Sequence, residues 1–247
     1  MPPKTPMGEQ RNWKRIRERL GLNLPIQVHC RETNEFEWKE ASRLINVTPF
    51  GAGFTLKHPT EKGRLLHMVI PMPRQLRVFD HLELQYRIWA IVRHAKLIST
   101  SKSDEILFQV GVAFIGKRPP ATYEAQPWRR FEVVIGPRKL TNVIEMVRPL
   151  KPVDQRTITR HNIAVDLKVE TLDDSGATVT SELTVTEDIS RYGARIFTTL
   201  ETQVGRFIRL SSTHYNITTF AAVRAVSKGE DGIRRIHVEF IGREWPL

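Results

Sequence analysis

At 247 residues the chain has room for one large domain or two small ones, each with its own core. Its 40% hydrophobic and 26% charged content is that of an ordinary globular protein, and no apolar run reaches the roughly 18–20 residues of a membrane span. One cysteine, Cys30, excludes an internal disulfide and a multi-cysteine zinc site, and no apolar signal-peptide core follows Met1, so a cytoplasmic protein is expected. The net charge of +11 lies wholly in residues 1–150, because residues 151–247 balance at 13 basic against 13 acidic side chains. The second half therefore lacks the continuous basic face that displaces counterions from nucleic acid, whereas the first half has the surplus for one.

In chain order, residues 9–20 read as a short basic helix or ordered arm. From Pro25 onward Ile26, Val28 and Cys30 alternate with polar residues, the period-2 mark of a half-buried strand, and Cys30 reads as a small buried hydrophobe. Alternation continues through Ala52, Phe54 and Leu56, the run 82–98, and Ile106, Phe108, Val110, Val112 and Phe114. Residues 121–150 carry Trp128, Phe131 and an apolar run at 143–147, too apolar for a free linker, so this connector is expected to pack on a barrel, partly as a helix. The second half alternates more cleanly: Ile163, Val165, Leu167 and Val169, an Asp173-Asp174-Ser175-Gly176 turn, then Val179, Leu183 and Val185. Ala194 and Ile196, residues 207–210 and 220–226, and Ile236, Val238 and Phe240 complete six short strands, the pattern of a small antiparallel barrel.

The halves repeat each other. Asn46-Val-Thr-Pro-Phe-Gly51 matches Asp188-Ile-Ser-Arg-Tyr-Gly193 at an offset of 142, and Phe114-Ile-Gly matches Phe240-Ile-Gly at 126. Ala90-Ile-Val-Arg93 resembles Ala221-Ala-Val-Arg224, so an insertion is expected between Gly51 and Ala90, in the segment 65–80 with Pro71 and Pro73. The expected architecture is all-β, with two six-stranded antiparallel barrels in tandem: a divergent one in 1–120, a connector in 121–150 and a second barrel in 151–247.

Arg156-Thr-Ile-Thr-Arg160, followed after a strand by Asp188-Ile-Ser-Arg-Tyr-Gly193, resembles the PilZ signature of RxxxR and [D/N]xSxxG. The resemblance covers 151–247 and implies a receptor for cyclic di-GMP, with Arg156, Arg160, Asp188, Ser190 and Gly193 as ligand-binding residues, no cofactor and no catalysis. The chemistry suits such a ligand. Arginine reaches phosphate oxygens or guanine O6/N7 bidentately and stacks on bases. Asp188 accepts from guanine N1–H and N2–H, Ser190 adds a hydroxyl without bulk, and Gly193 permits a turn or a close approach. Arg191 and Arg195 are expected as surface charges, and His161 as structural or exposed. Gln155 supplies no further arginine before the motif, which tilts the expectation to one ligand molecule.

The first half holds a weaker copy, a possible second site at Arg15, Arg19, Asn46, Thr48 and Gly51. Asn46 offers one acceptor without charge where Asp188 offers two, and Thr48 adds a methyl to the hydroxyl of Ser190. The sequence shows no nucleophile–histidine constellation, metal spacing or phosphate loop, so a non-enzymatic signalling protein with an unidentified protein partner is expected. The rival is an adaptor whose barrels bind a protein without nucleotide; a nucleic-acid module in the basic first half is a third reading.

Overall fold

The computed structural model describes residues 23–99, 106–135, 142–146 and 159–247. The expected helix or arm at 9–20, and with it Arg15 and Arg19, falls outside the described residues, as does Arg156. No helix among the described residues is long and apolar enough to cross a membrane.

Six strands, β1 (Pro25–Arg31), β2 (Glu37–Thr48), β3 (Gly51–Leu56), β4 (Leu65–Ile70), β5 (Tyr86–Ser99) and β6 (Ile106–Gly116), close into an antiparallel barrel in the order β1-β2-β3-β6-β5-β4. A two-stranded hairpin, β7 (Phe131–Ile135) with β8 (Asn142–Met146), follows. The second barrel comprises β9 (Asp166–Leu172), β10 (Thr178–Ser190), β11 (Gly193–Phe197), β12 (Phe207–Ser212), β13 (Ile217–Lys228) and β14 (Arg234–Ile241). It closes as β9-β10-β11-β14-β13-β12, the topology of the first barrel repeated. Closure removes the unpaired edges that a small open sheet would expose.

Alternation produces these walls directly. In β1 the side chains of Ile26, Val28 and Cys30 point inward and are buried, and burial pushes the Cys30 thiol up to about 12, which keeps it protonated and inert. The connector departs from expectation. It packs on the first barrel through buried Tyr123 and Phe131, but its described residues form a 3-10 turn and a strand hairpin rather than a helix, in keeping with the β-branched run around Val133 and Val143.

The insertion lies only partly where expected. Strand β4 has its counterpart in β12, since the pair Leu65↔Ile91 corresponds to Phe207↔Ala222. The offset is 142 at Leu65 and Phe207, 131 at Ile91 and Ala222, and 126 at Val112 and Val238. The extra residues are thus divided between the β4–β5 connection and the β5–β6 arm. The period-2 pattern cannot separate an added loop from an added strand, which is why the segment starting at Leu65 looked foreign.

The barrels share one apolar cluster, in which Leu172, Phe207, Phe220, Ala222 and Ile241 of the second pack with the core of the first. Phe108 and Phe220 meet edge to face at 5.2 Å. Buried ions line the same seam. Glu61 accepts from Arg64 Nη2 at 3.0 Å and from both terminal nitrogens of Arg224, and Arg64 also donates to the Gly205 carbonyl at 3.2 Å. Glu32 accepts from Trp38 Nε1 at 2.9 Å and from the Phe207 amide at 3.1 Å, so the β1–β2 turn is held onto the second barrel by hydrogen bonds as well as by packing.

Candidate functional site

The hairpin between β10 and β11 carries the second-barrel motif. Ser190 and Gly193 face each other across a two-residue turn, Ile189 faces Ala194, and Asp188 faces Arg195, with a bulge at Glu187. The bulge lets Glu187 and Asp188 both face a partner in β11. Asp188 is 3% exposed, yet its carboxylate is fully engaged. One oxygen accepts from Arg195 Nε at 3.0 Å and Nη2 at 2.7 Å, and the other from Arg160 Nη1 at 3.2 Å.

Arg160 reaches Asp188 because the chain before the barrel runs along β10. The His161 amide donates to the Ile189 carbonyl at 2.8 Å, and the Ile189 amide returns a bond to His161 at 3.0 Å. His161 is exposed and its role is in its backbone. The fold thus brings Arg160, Asp188, Ser190 and Gly193 to one place, while Arg156 lies outside the described residues.

Ser190 and Gly193 build the turn. The Ser190 hydroxyl donates to the Gly193 carbonyl at 3.1 Å and accepts from the Tyr192 amide at 3.4 Å. A Cβ on Gly193 would stand 2.2 Å from the Val238 carbonyl oxygen, so glycine is required there for close approach of β14. The first barrel reproduces this closely. Thr48 donates to the Gly51 carbonyl at 3.3 Å, the Phe50 amide donates to Thr48 at 3.2 Å, and a Cβ on Gly51 would meet the Val112 carbonyl oxygen at the same 2.2 Å.

Sequence reasoning missed the support around Asp188. Arg195 is an ion-pair partner of Asp188 and of Glu187 (3.1 Å), not the surface charge expected of it. Glu187 also takes Arg235 Nε at 3.0 Å, and Arg235 grips Asp231, whose carboxyl it holds well below the usual range. His237 faces Arg195 on β14, and burial, then the Arg195 charge, pushes its imidazole below the ordinary value. The signal for Arg195 was available: counting outward from the Ser190–Gly193 pair places 195 opposite 188. Arg191 stays exposed, its carbonyl accepting from the Trp245 amide at 2.8 Å.

Behind the hairpin, Glu239 of β14 pairs with Gly193 in register. Its carboxylate takes Arg130 of the connector at 3.2 Å and Arg224 of β13 at 2.8 Å, and Arg224 is the residue that grips Glu61 of the first barrel. An ionic chain therefore runs from the strand behind the motif to the seam between the barrels.

No protein-family model matches the chain, and no curated protein matches it. Among solved structures, the Bacillus subtilis inhibitor of motility is similar at 11% identity, with 90% of this chain and 88% of that one covered and a TM-score of 0.29. The Borreliella burgdorferi PlzA protein in complex with c-di-GMP matches at 10% identity, 92% and 84% coverage and a TM-score of 0.28. YcgR from Escherichia coli, also in complex with c-di-GMP, matches at 10% identity, 89% and 76% coverage and a TM-score of 0.27.

Proposed function

We propose that this chain is a non-enzymatic receptor for cyclic di-GMP resembling the PilZ family, with the ligand on the wall of the second barrel. The supporting observation is the Arg160–Asp188 contact, which joins the two halves of the motif, 28 residues apart in sequence, into one polar cluster. Asp188 is a buried acceptor held in place by Arg195, and Arg160 is its exposed and exchangeable partner, with 59% of the side chain open to solvent. Guanine N1–H and N2–H replace the Arg160 contact on Asp188. Arg160, so released, turns its fork to a phosphate or to guanine O6/N7, and Arg156 supplies the second cation.

Binding at this place also alters how the barrels are held. The ligand clamps the connector end at Arg160 against β10, beside the hairpin backed by Glu239 and hence by Arg130, Arg224 and Glu61. A protein partner reads the changed arrangement.

Isothermal titration calorimetry with cyclic di-GMP on the whole chain tests the reading. Saturable binding at micromolar or tighter affinity is expected, weakened at least ~100-fold in Arg156→Ala/Arg160→Ala, about 2.7 kcal/mol. Wild-type chain that takes up no ligand would favour the adaptor reading instead. Small-angle scattering that is unchanged at saturating ligand would refute the rearrangement alone.

A further inference from the structure

The β4–β5 connection of the first barrel, residues 71–85, is far longer than its counterpart in the second, residues 213–216. It lies at the end of the first barrel away from the seam. Strand β1 starts beside the end of β4, where Gln27 pairs with Val69, and finishes at the turn whose Glu32 docks on the second barrel. The connection carries Val78, Phe79, Leu82 and Leu84 on its surface. Leu82 and Leu84 are 86% and 88% exposed, more than any other large hydrophobic among the described residues.

The leucines stand on a tightly tied loop. The buried Arg77 guanidinium donates Nε to the Met72 carbonyl at 2.8 Å, Nη1 to the Glu83 carbonyl and Nη2 to the Leu84 carbonyl at 2.9 Å. Arg74 Nη2 donates to the Leu82 carbonyl at 3.2 Å, and Asp80 accepts from the Leu82 amide at 3.0 Å. Lys117 offsets the acids of the loop, reaching Asp80 at 3.1 Å and Glu83 at 3.2 Å. Three successive carbonyls are thus satisfied from within while two leucine side chains are left outside. A protein partner could pair with free backbone groups. The boundary of a bilayer offers few such partners, so a loop that enters it must satisfy its own.

Where Pro71 and Gln85 join the barrel wall, a groove of about 600 Å³ lies beside the loop. It is lined by Lys39 and Arg87, both exposed, and by His29 and His67, which face each other across β1 and β4. None of its lining residues is acidic, and nearby Glu37 is taken up by His29 Nε2 at 3.0 Å. Exposed leucines next to a cationic groove suit a surface that is apolar below and negatively charged above. We propose that this end of the first barrel docks on an anionic lipid surface, with Leu82 and Leu84 in the interfacial layer and a lipid phosphate on Lys39 and Arg87. Apolar contact and attraction to anionic lipid add to each other in such binding, and the basic surplus of the first half strengthens the attraction. The docking does not depend on the second barrel's ligand.

Co-sedimentation of the whole chain with equimolar phosphatidylcholine–phosphatidylglycerol vesicles, and with pure phosphatidylcholine vesicles in parallel, tests this. Binding to the anionic vesicles alone is expected. Leu82→Ser/Leu84→Ser alters no charge and is expected to weaken it at least ~10-fold, about 1.4 kcal/mol. Lys39→Gln/Arg87→Gln is expected to weaken it ~30-fold, the ~2 kcal/mol of two basic side chains near an anionic surface. All four side chains are exposed, so the fold is kept. Leu183→Ser makes the same change at an exposed leucine of the second barrel and is expected to leave binding intact. A wild-type chain that stays in the supernatant would overturn the proposal and assign the leucines to a protein partner. Equal binding to both vesicles, full binding by either double variant, or loss of binding in Leu183→Ser would overturn it as well.

Discussion

Arg195 closes on one oxygen of Asp188 with Nε at 3.0 Å and Nη2 at 2.7 Å, leaving the other oxygen to Arg160 at 3.2 Å. The two arginines are not equivalent. Arg195 is fixed on the opposing strand, while Arg160 comes from the chain before the barrel and is more open to solvent. Arg195→Ala strips the buried carboxylate of its better partner and is expected to cost about 1–2 kcal/mol, less than the 3–5 of a fully buried pair because Arg195 is itself partly exposed. Arg160→Ala is expected to cost under ~1 kcal/mol, yet to weaken cyclic di-GMP more than its stability loss suggests. Urea midpoints of the two variants, set beside their ligand affinities, check the division of labour.

Gly51 and Gly193 make the same close approach to the neighbouring strand, each with a Cβ position 2.2 Å from a carbonyl oxygen. Backbone cannot yield as a flexible side chain does, so Gly51→Ala and Gly193→Ala are each expected to cost about 1–3 kcal/mol, by similar amounts. Their functional effects should differ. Only Gly193→Ala shifts the hairpin that holds Asp188, so only it should weaken cyclic di-GMP. Denaturation midpoints with paired titrations separate the effects, and an unchanged midpoint in either variant would contradict the close approach.

Both barrels were legible because alternation over short runs is what a half-buried wall dictates, and the recurrence of Asn46–Gly51 as Asp188–Gly193 marked corresponding hairpins. Within the second, the motif positions Arg160, Asp188, Ser190 and Gly193 do converge. The connector was misread because an apolar run such as 143–147 suits a strand and a buried helix equally when no period is visible. Arg195 escaped because its importance comes from cross-strand register, which has to be counted outward from the Ser190–Gly193 turn rather than matched as a linear motif. The seam was out of reach for a related reason. Glu32 and Glu61 look like ordinary surface acids in sequence, and only the docking of Phe207 and Arg224 from the other half makes them buried acceptors.

Glu61 holds the seam by binding cations from both barrels. Burial alone would raise its carboxyl pKa, but Arg224, Arg64 and Arg130 outweigh it and hold the group below its ordinary value. Glu61→Ala leaves Arg64, which is 0% exposed, with backbone carbonyls for hydrogen bonds and only the more weakly coupled Glu32 as a counter-charge. That change is expected to destabilise by about 3–5 kcal/mol, the range for a buried charge that loses its pair partner. Replacing Arg224 by Met should cost less, because Arg64 still pairs with Glu61. Thermal unfolding of the two variants tests the order, and a Glu61→Ala chain as stable as wild type would refute the role.

Glu170 and Glu32 should give the acid response opposite signs in neighbouring pH ranges. A hydrogen bond from Arg209 and, against some burial, another from Lys168 hold Glu170 down at about 2. A carboxylate depressed in the folded state contributes stability above its unfolded value of about 4.5, and that contribution is lost as pH falls from there toward 2. Its size is on the order of 2 kcal/mol once solvent screening is allowed for. Glu32 behaves the other way. Burial raises its carboxyl pKa despite the Arg206 charge, so above pH 4.5 the folded chain takes up a proton before the unfolded one does. Its stabilisation therefore grows as pH falls toward 4.5. His67 and His237, depressed chiefly by burial, work against it by favouring the unfolded state as pH drops below about 6.5. Urea midpoints across pH 2–8 should show a wild-type decline below 4.5 that Glu170→Gln flattens. Glu32→Gln should change the slope only above 4.5, while lowering the whole curve by about 1–3 kcal/mol because one of the two donors, Trp38 or Phe207, loses its acceptor. A parallel shift of the Glu170→Gln curve, with the slope below 4.5 intact, would show that Arg209 and Lys168 do not hold that carboxylate in solution.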